Sequence, residues 1–164
     1  PINTYFSLDL DCISALNDSV GGVDVVSPET IGEFVEGESY HLVGQQAESF
    51  VRTRDTSKTD SNNMRMQRQK VYIQSFMNTV LQQTKKDLTT PIDLFNASAP
   101  YSCTNLNPSK VSYLAQQAVL GGMNGIDMVS VPGQVAMGSK YAEFNVSEAE
   151  FYQLFLSIYY TKIE

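Results

Sequence analysis

The chain has 164 residues, a formal net charge of -7 and a pI near 4.6, with 42% hydrophobic and 18% charged residues. This is a globular composition, long enough for one domain with its own core, and its acidity excludes general nucleic-acid binding, which needs a broad basic face. No apolar run long enough to span a bilayer occurs, and Pro1-Ile2-Asn3 has none of the charged and apolar regions of a signal peptide.

In chain order, Thr4 to Leu8 is rich in aromatic and β-favouring residues and predicts an edge or terminal strand. A short helix follows, capped by Asp9 or Asp11, with Leu10, Ile13 and Leu16 on a narrow apolar stripe and Gly21-Gly22 as its stop. Val23 to Ser27 reads as a strand ended by Pro28, and His41 to Val51 as a strand or turn entering a short helix that delivers Arg52. Asp55 to Asn63 holds no apolar residue, so it is expected to be a mobile surface loop. From about Met64 to Lys86 the residues Ile73, Phe76, Met77, Val80 and Leu81 recur at helical spacing. Asp60, Ser61, Asn62 or Asn63 can cap that helix, and Lys85 and Lys86 complement its dipole.

Asn107 and Pro108 open a second helix over Val111, Leu114, Ala115 and Ala118, closed by Gly121-Gly122. Ile126 to Val131 alternates as a strand that stops at Pro132-Gly133. Ser147 and Glu150 have capping-box spacing ahead of a final helix with Phe151, Leu154, Phe155 and Ile158 on one side. Strands alternating with helices predict an α/β fold, layered α/β/α about a central mixed sheet, as a single domain over residues 1–164.

Chemistry concentrates in one place. All four arginines, Arg52, Arg54, Arg65 and Arg68, fall within seventeen positions. Phe50 to Lys70 carries these and two lysines against two aspartates, a net +4, so the remainder of the chain is -11. The planar guanidinium fork suits bidentate contact with phosphate or carboxylate. Arg65 and Gln69, four apart, share a face at the start of the long helix, where unpaired N–H groups already attract anions. Arg52 and Arg54, alternate on an extended segment, project to one side. The competing reading is a solvated or ion-paired patch.

Other residues carry weaker signals. Cys12 and Cys103 fit a disulfide or two buried thiols, and neither belongs to a C-x-x-C pattern. The single histidine, His41, has no cysteine cluster or serine elbow near it and reads as a surface or packing residue. Asp9 and Asp11 read as capping acids rather than metal ligands, Gly121-Gly122 and Gly133 as turns, and Ser139-Lys140 as lacking a partner for a nucleophile. The aromatic end, Phe151, Tyr152, Phe155, Tyr159 and Tyr160, reads as core and rim.

The order Leu42-x-Gly44-Gln45-x-Ala47-x-x-Phe50-Val51-Arg52-Thr53-Arg54, then Asp60, then Arg65-x-x-Arg68-Gln69 resembles the signature of the LytR-CpsA-Psr family. Ile2-Asn3-x-Tyr5 to Leu8, Gly21-Gly22-Val23-Asp24-Val25 and Val131-Pro132-Gly133 with the Tyr141 segment resemble the second half of that domain. The resemblance implies membrane-anchored, extracellular phosphotransferases of mainly Gram-positive bacteria. These move a glycan such as teichoic acid or capsule from a polyprenyl pyrophosphate carrier onto peptidoglycan, forming a phosphodiester. It implies pyrophosphate binding by Arg52, Arg54, Arg65 and Gln69, the three arginines offsetting charge in the transfer step; Arg68 and Asp60 hold weaker places in that set. It also implies Mg2+ held by aspartates outside these residues, and membrane contact only through an N-terminal anchor. Two positions depart from the pattern: Asn62 stands where the family has an aspartate three residues before Arg65, and Glu48 where it has an apolar residue. The alternative is a non-catalytic module that binds pyrophosphate lipids or anionic glycans.

Overall fold

The computed structural model describes residues 3–57, 61–126, 128–139 and 141–160. Asp60, Asp127 and Lys140, which figure among the sequence expectations, lie outside the described residues. The chain divides into two compact units, Pro1–Asp127 and Met128–Glu164.

In the first unit β1 (Phe6–Leu8) is followed by α1 (Cys12–Ser19), β2 (Val23–Val26), β3 (Ser39–Leu42) and α2 (Gln45–Arg52). Then come α3 (Ser61–Lys86), α4 (Thr90–Ser98), a 3-10 turn at Ala99–Tyr101, β4 (Ser102–Thr104) and α5 (Pro108–Leu120). β1 pairs antiparallel with β4, Phe6 opposite Thr104, and β2 with β3, Val23 opposite Leu42. β2 shows the alternation of a half-buried strand: Val23 and Val25 are buried while Asp24 and Val26 face out. Around them close Val20, Phe34, Leu42, Ala47, Phe50, Val51 and Tyr72. Phe34 anchors this core, edge-on to both Phe50 and Tyr40 with centroids 5.0 and 5.2 Å away.

Three features fix the helices against this ribbon. At the end of α1, Gly22 has φ +95, and a Cβ there would meet Nε2 of His41 at 2.5 Å and the Leu42 carbonyl oxygen at 2.9 Å, so only glycine fits. The fully buried Asn17 donates from Nδ2 to the Leu42 carbonyl at 2.8 Å and accepts from the Tyr72 hydroxyl at 3.2 Å, joining α1, β3 and α3. Asp18 Oδ1 accepts from the Gly44 N–H at 2.6 Å and so sets where α2 begins.

In the second unit β5 (Gly133–Met137) and β6 (Ala142–Val146) form an antiparallel hairpin, followed by α6 (Glu148–Tyr159). The Ser147 hydroxyl makes no capping bond; its carbonyl accepts from the Phe151 N–H at 2.8 Å, while Glu148 and Glu150 suit the dipole. Phe151, Tyr152, Phe155, Tyr159 and Tyr160 are all exposed, against the expectation of core packing.

The α/β class holds. The described strands form three two-stranded antiparallel pairs, with no parallel pair among them. A parallel neighbour would have to arrive by a crossover connection, which none of these strands makes to another. Ile126 and Met128 to Val131 lie in no strand, because alternation without a pairing partner does not hold one; the strand starts at Gly133, where a stop was expected. α3 begins at Ser61, so the polar loop is shorter than its composition implied. Asp11 stands at the α1 cap without a side-chain capping bond, and the Asp9 carboxylate accepts from the Asp11 N–H at 3.3 Å. Asn107 caps α5 as expected, accepting from the Lys110 N–H at 2.9 Å. Both cysteines are free, Cys12 buried but Cys103 exposed on the edge ribbon. No helix among the described residues is long and apolar enough to cross a membrane.

Candidate functional site

One face of α3 builds most of the site. Counted from Arg65, Gln69, Tyr72, Ile73, Phe76 and Met77 follow at helical spacing, so their side chains fall in a single stripe. All six line a cleft of about 750 Å³. Its other walls come from Leu8 at the end of β1 with Asp9 and Leu10 beyond it, from Cys12, Ile13 and Leu16 on α1, and from Val51 and Arg52 at the end of α2. The lining is therefore split: Arg52, Arg65 and Gln69 bring positive charge and hydrogen-bonding capacity, Asp9 adds one carboxylate, and aliphatic and aromatic groups supply nearly all the rest.

The four arginines occupy different positions. Arg52 is the last residue of α2, where a cation complements the helix dipole, and it pairs with Glu48 one turn back. It is thus helical rather than extended. The pairing also gives Glu48, at a position where the resemblance implies an apolar residue, a partner for its partly exposed carboxylate. Arg54 follows in the exposed segment, its Nε donating to the hydroxyl of buried Ser61 at 3.0 Å, which links it to the first residue of α3. Arg65 is half-buried, and its Nη2 donates to Asn62 Oδ1 at 2.9 Å. Asn62, which stands where the resemblance implies an aspartate, therefore orients the guanidinium as a neutral acceptor. Gln69 donates from Nε2 to the Val51 carbonyl at 3.2 Å, satisfying one of the orphan carbonyls at the end of α2.

Arg68 differs from the other three. Its side chain has no exposed surface; it lies 3.1 Å from Glu29 and donates to the Thr53 carbonyl. Burial lowers its pKa, Glu29 opposes that, and Arg65 adds to it. A guanidinium wholly enclosed by protein is not available to a ligand, so Arg68 leaves the set of ligand-contacting candidates. Glu29, Asn17 and Tyr72 escaped the sequence reading. Only Tyr72 carried a signal there, its place in the α3 stripe.

The floor of the cleft is neutral. Burial pushes the Tyr72 phenol well up, with Cys12 and Asp18 adding to the effect. Desolvation likewise raises the Cys12 thiol, reinforced by the charge of Asp9. Away from the cleft, His41 binds Asp24 through Nδ1 at 2.7 Å and the Gly21 carbonyl through Nε2 at 3.1 Å while staying largely exposed, within the surface or packing role expected of it. Among the described residues no three His, Cys, Asp or Glu side chains come together to hold a metal. The residues described here therefore do not make a site for the Mg2+ implied by the resemblance.

Residues 1–156 match the family model described as the LytR_cpsA_psr family. No curated protein matches. Among solved structures, TagV of B. subtilis is 20% identical with a TM-score of 0.70, over 99% of this chain and 66% of that one. The LytR-Csp2A-Psr enzyme from Actinomyces oris is 17% identical with a TM-score of 0.69, over 98% of this chain and 65% of that one. TagT bound to LI-WTA is 14% identical with a TM-score of 0.66, over 96% of this chain and 60% of that one. At these identities the likeness is one of fold, and the chain spans about two thirds of those proteins or somewhat less. The family match extends over nearly the whole chain: it belongs to the LytR-CpsA-Psr family.

Proposed function

We propose that this chain supplies the substrate-binding part of a cell-wall glycopolymer phosphotransferase whose donor is a polyprenyl pyrophosphate-linked glycan. The observation that carries this is the split character of the cleft, with Arg52, Arg65 and Gln69 lining the same space as Leu8, Ile13, Leu16, Ile73 and Phe76. Only an amphiphile with an anionic head and an apolar tail satisfies both parts. A pyrophosphate accepts the charge-assisted bonds that guanidinium groups make best, and the aliphatic and aromatic walls remove a prenyl chain from water. The fold likeness to TagT bound to LI-WTA, a lipid-linked wall teichoic acid, supports the same class of donor.

In the transfer, an acceptor hydroxyl of peptidoglycan attacks the glycan-bearing phosphorus and releases its proton to solvent. The bond to the bridging oxygen breaks, polyprenyl phosphate leaves, and a glycan–peptidoglycan phosphodiester forms. Arg52, Arg54 and Arg65 offset the charge on the non-bridging and leaving oxygens, and Gln69 steadies the end of α2 that presents Arg52. Such a donor and acceptor meet at the extracellular face of the cell membrane, and we assign the protein there.

Calorimetry with farnesyl pyrophosphate and with inorganic pyrophosphate tests the binding. The lipid form is expected to bind more tightly, and Arg52→Ala or Arg65→Ala to weaken both ligands by about tenfold to a hundredfold, the loss of one charge-assisted contact. Ile73→Glu is expected to weaken only the lipid form. Equal affinity for the two ligands in the unaltered protein would sink the reading. In the full-length protein Arg54→Ala or Arg65→Ala is expected to abolish glycan transfer with the fold intact; undiminished transfer in both refutes the enzyme assignment, and binding without any turnover favours the binding-module alternative.

A further inference from the structure

Arg68 is the largest fully buried side chain among the described residues. Enclosing a guanidinium is costly unless its donors are engaged. Here Nη2 donates to the Thr53 carbonyl; Nε lies 3.1 Å from Glu29 Oε1 as an ion pair without hydrogen-bond alignment, and Nη1 has no hydrogen-bond partner among the described residues. Glu29 is itself held in place. Its carbonyl accepts from the hydroxyl of buried Ser27 at 2.7 Å, and the Ser27 backbone bonds Glu38 and Gly37 at 3.0 and 2.8 Å. Thr53 is the residue between Arg52 and Arg54, at the point where the chain leaves α2 in extended geometry, φ -54 and ψ 136.

We propose that Arg68, backed by Glu29, is a positioning residue for the pyrophosphate site: it grips the Thr53 carbonyl and so fixes where Arg52 and Arg54 present their guanidinium groups. A buried ion pair is poor value as a source of stability, since apolar residues of similar volume often do as well. A bond to one particular backbone carbonyl, by contrast, sets geometry, and small misplacements of a binding group weaken it severely. The proposal rests on the assignment of Arg52 and Arg54 to pyrophosphate.

Two substitutions in the whole chain test it: Arg68→Lys keeps the charge but loses the planar fork, and Glu29→Gln removes only the counter-charge and serves alone if Arg68→Lys does not fold. Leu81→Ala is the control, because Leu81 is buried on α3 outside the cleft and its loss destabilises without touching Thr53. Each protein is measured below its unfolding transition. Arg68→Lys and Glu29→Gln are expected to speed amide hydrogen exchange at Thr53, Arg54 and Asp55 and to weaken inorganic pyrophosphate about tenfold, whereas Leu81→Ala binds like the parent. In an Arg52→Ala, Arg54→Ala background, Arg68→Lys is expected to add no further loss of affinity. Unchanged exchange at Thr53 to Asp55 in both variants overturns the proposal, as does an equal loss of affinity in Leu81→Ala. A parent protein that fails to bind pyrophosphate overturns the site assignment instead, and the exchange measurement still decides whether Arg68 positions this segment.

Discussion

Replacing Tyr72 by Phe deletes one oxygen atom and retains the ring that stacks on Phe76, with centroids 6.2 Å apart. That oxygen donates to Oδ1 of Asn17 at 3.2 Å, and Asn17 is fully enclosed, its amide committed to the Leu42 carbonyl at 2.8 Å. Without the phenol, Oδ1 stays in the core with its donor gone. Orphaning a buried neutral acceptor costs roughly 1–3 kcal/mol, and a bond at the long end of the O–H···O range belongs in the lower half of that interval. No packing volume beyond the hydroxyl is lost, so the cavity contribution is small. The expected destabilisation is therefore about 1–2 kcal/mol, or a fall in Tm of about 2–8 °C for a chain of this size. Urea unfolding followed by circular dichroism measures it, and Asn17→Ala with the double variant closes a cycle that isolates the pair. Asn17→Ala alone should cost more, because it also frees the Leu42 carbonyl. A Tyr72→Phe protein as stable as the parent, or a cycle with no coupling, would show that this bond does not hold α3 to α1.

Two further outcomes follow from the ribbon below the cleft. His41 has its pKa raised above the ordinary 6.5, by the Asp24 hydrogen bond first and in spite of partial desolvation. A raised value in the folded state means a contribution fully present below about pH 6.5 and lost as pH climbs through the folded pKa. The urea midpoint should therefore fall more between pH 6 and pH 8 in the parent than in His41→Gln, and equal slopes would refute the link. Gly21→Ala and Gly22→Ala separate backbone strain from contact, since both glycines have positive φ but only Gly22 has neighbours where a Cβ would sit. Each should lose about 1–3 kcal/mol from strain alone, with Gly22→Ala the less stable of the two by chemical denaturation; equal losses would dismiss the contact with His41.

Local signals were enough for much of this architecture. Asn107-Pro108 and the double glycines name the ends of α5 and α1 because capping and positive φ are decided within a few residues. The α3 stripe was legible as helix, although Ile73, Phe76 and Met77 serve a cleft wall as well as packing. What escaped depends on distant partners. β4 is three residues, Ser102–Thr104, and exists through its pairing with β1 at the other end of the unit. α4 is short, with Pro91 near its start, and offers too few turns for periodicity to register. The burial of Arg68 is set by Glu29 and by the carbonyl of Thr53, neither of which its own neighbours announce.

The substitution at position 62 changes the electrostatics more than the geometry. An aspartate there would hold Arg65 and cancel its charge; Asn62 holds it at 2.9 Å and cancels nothing. Glu48 makes the opposite change at Arg52, placing a carboxylate against a guanidinium that lines the same cleft. Relative to the pattern that the resemblance implies, positive charge is thus redistributed from the α2 end toward α3. An anion entering this cleft meets its least compensated guanidinium at Arg65, on the rigid helix that also carries the apolar wall. On the proposed reading, head and tail of the amphiphilic donor are then registered by a single element, while Arg68 and Gln69 on the same helix hold the exit of α2 in place.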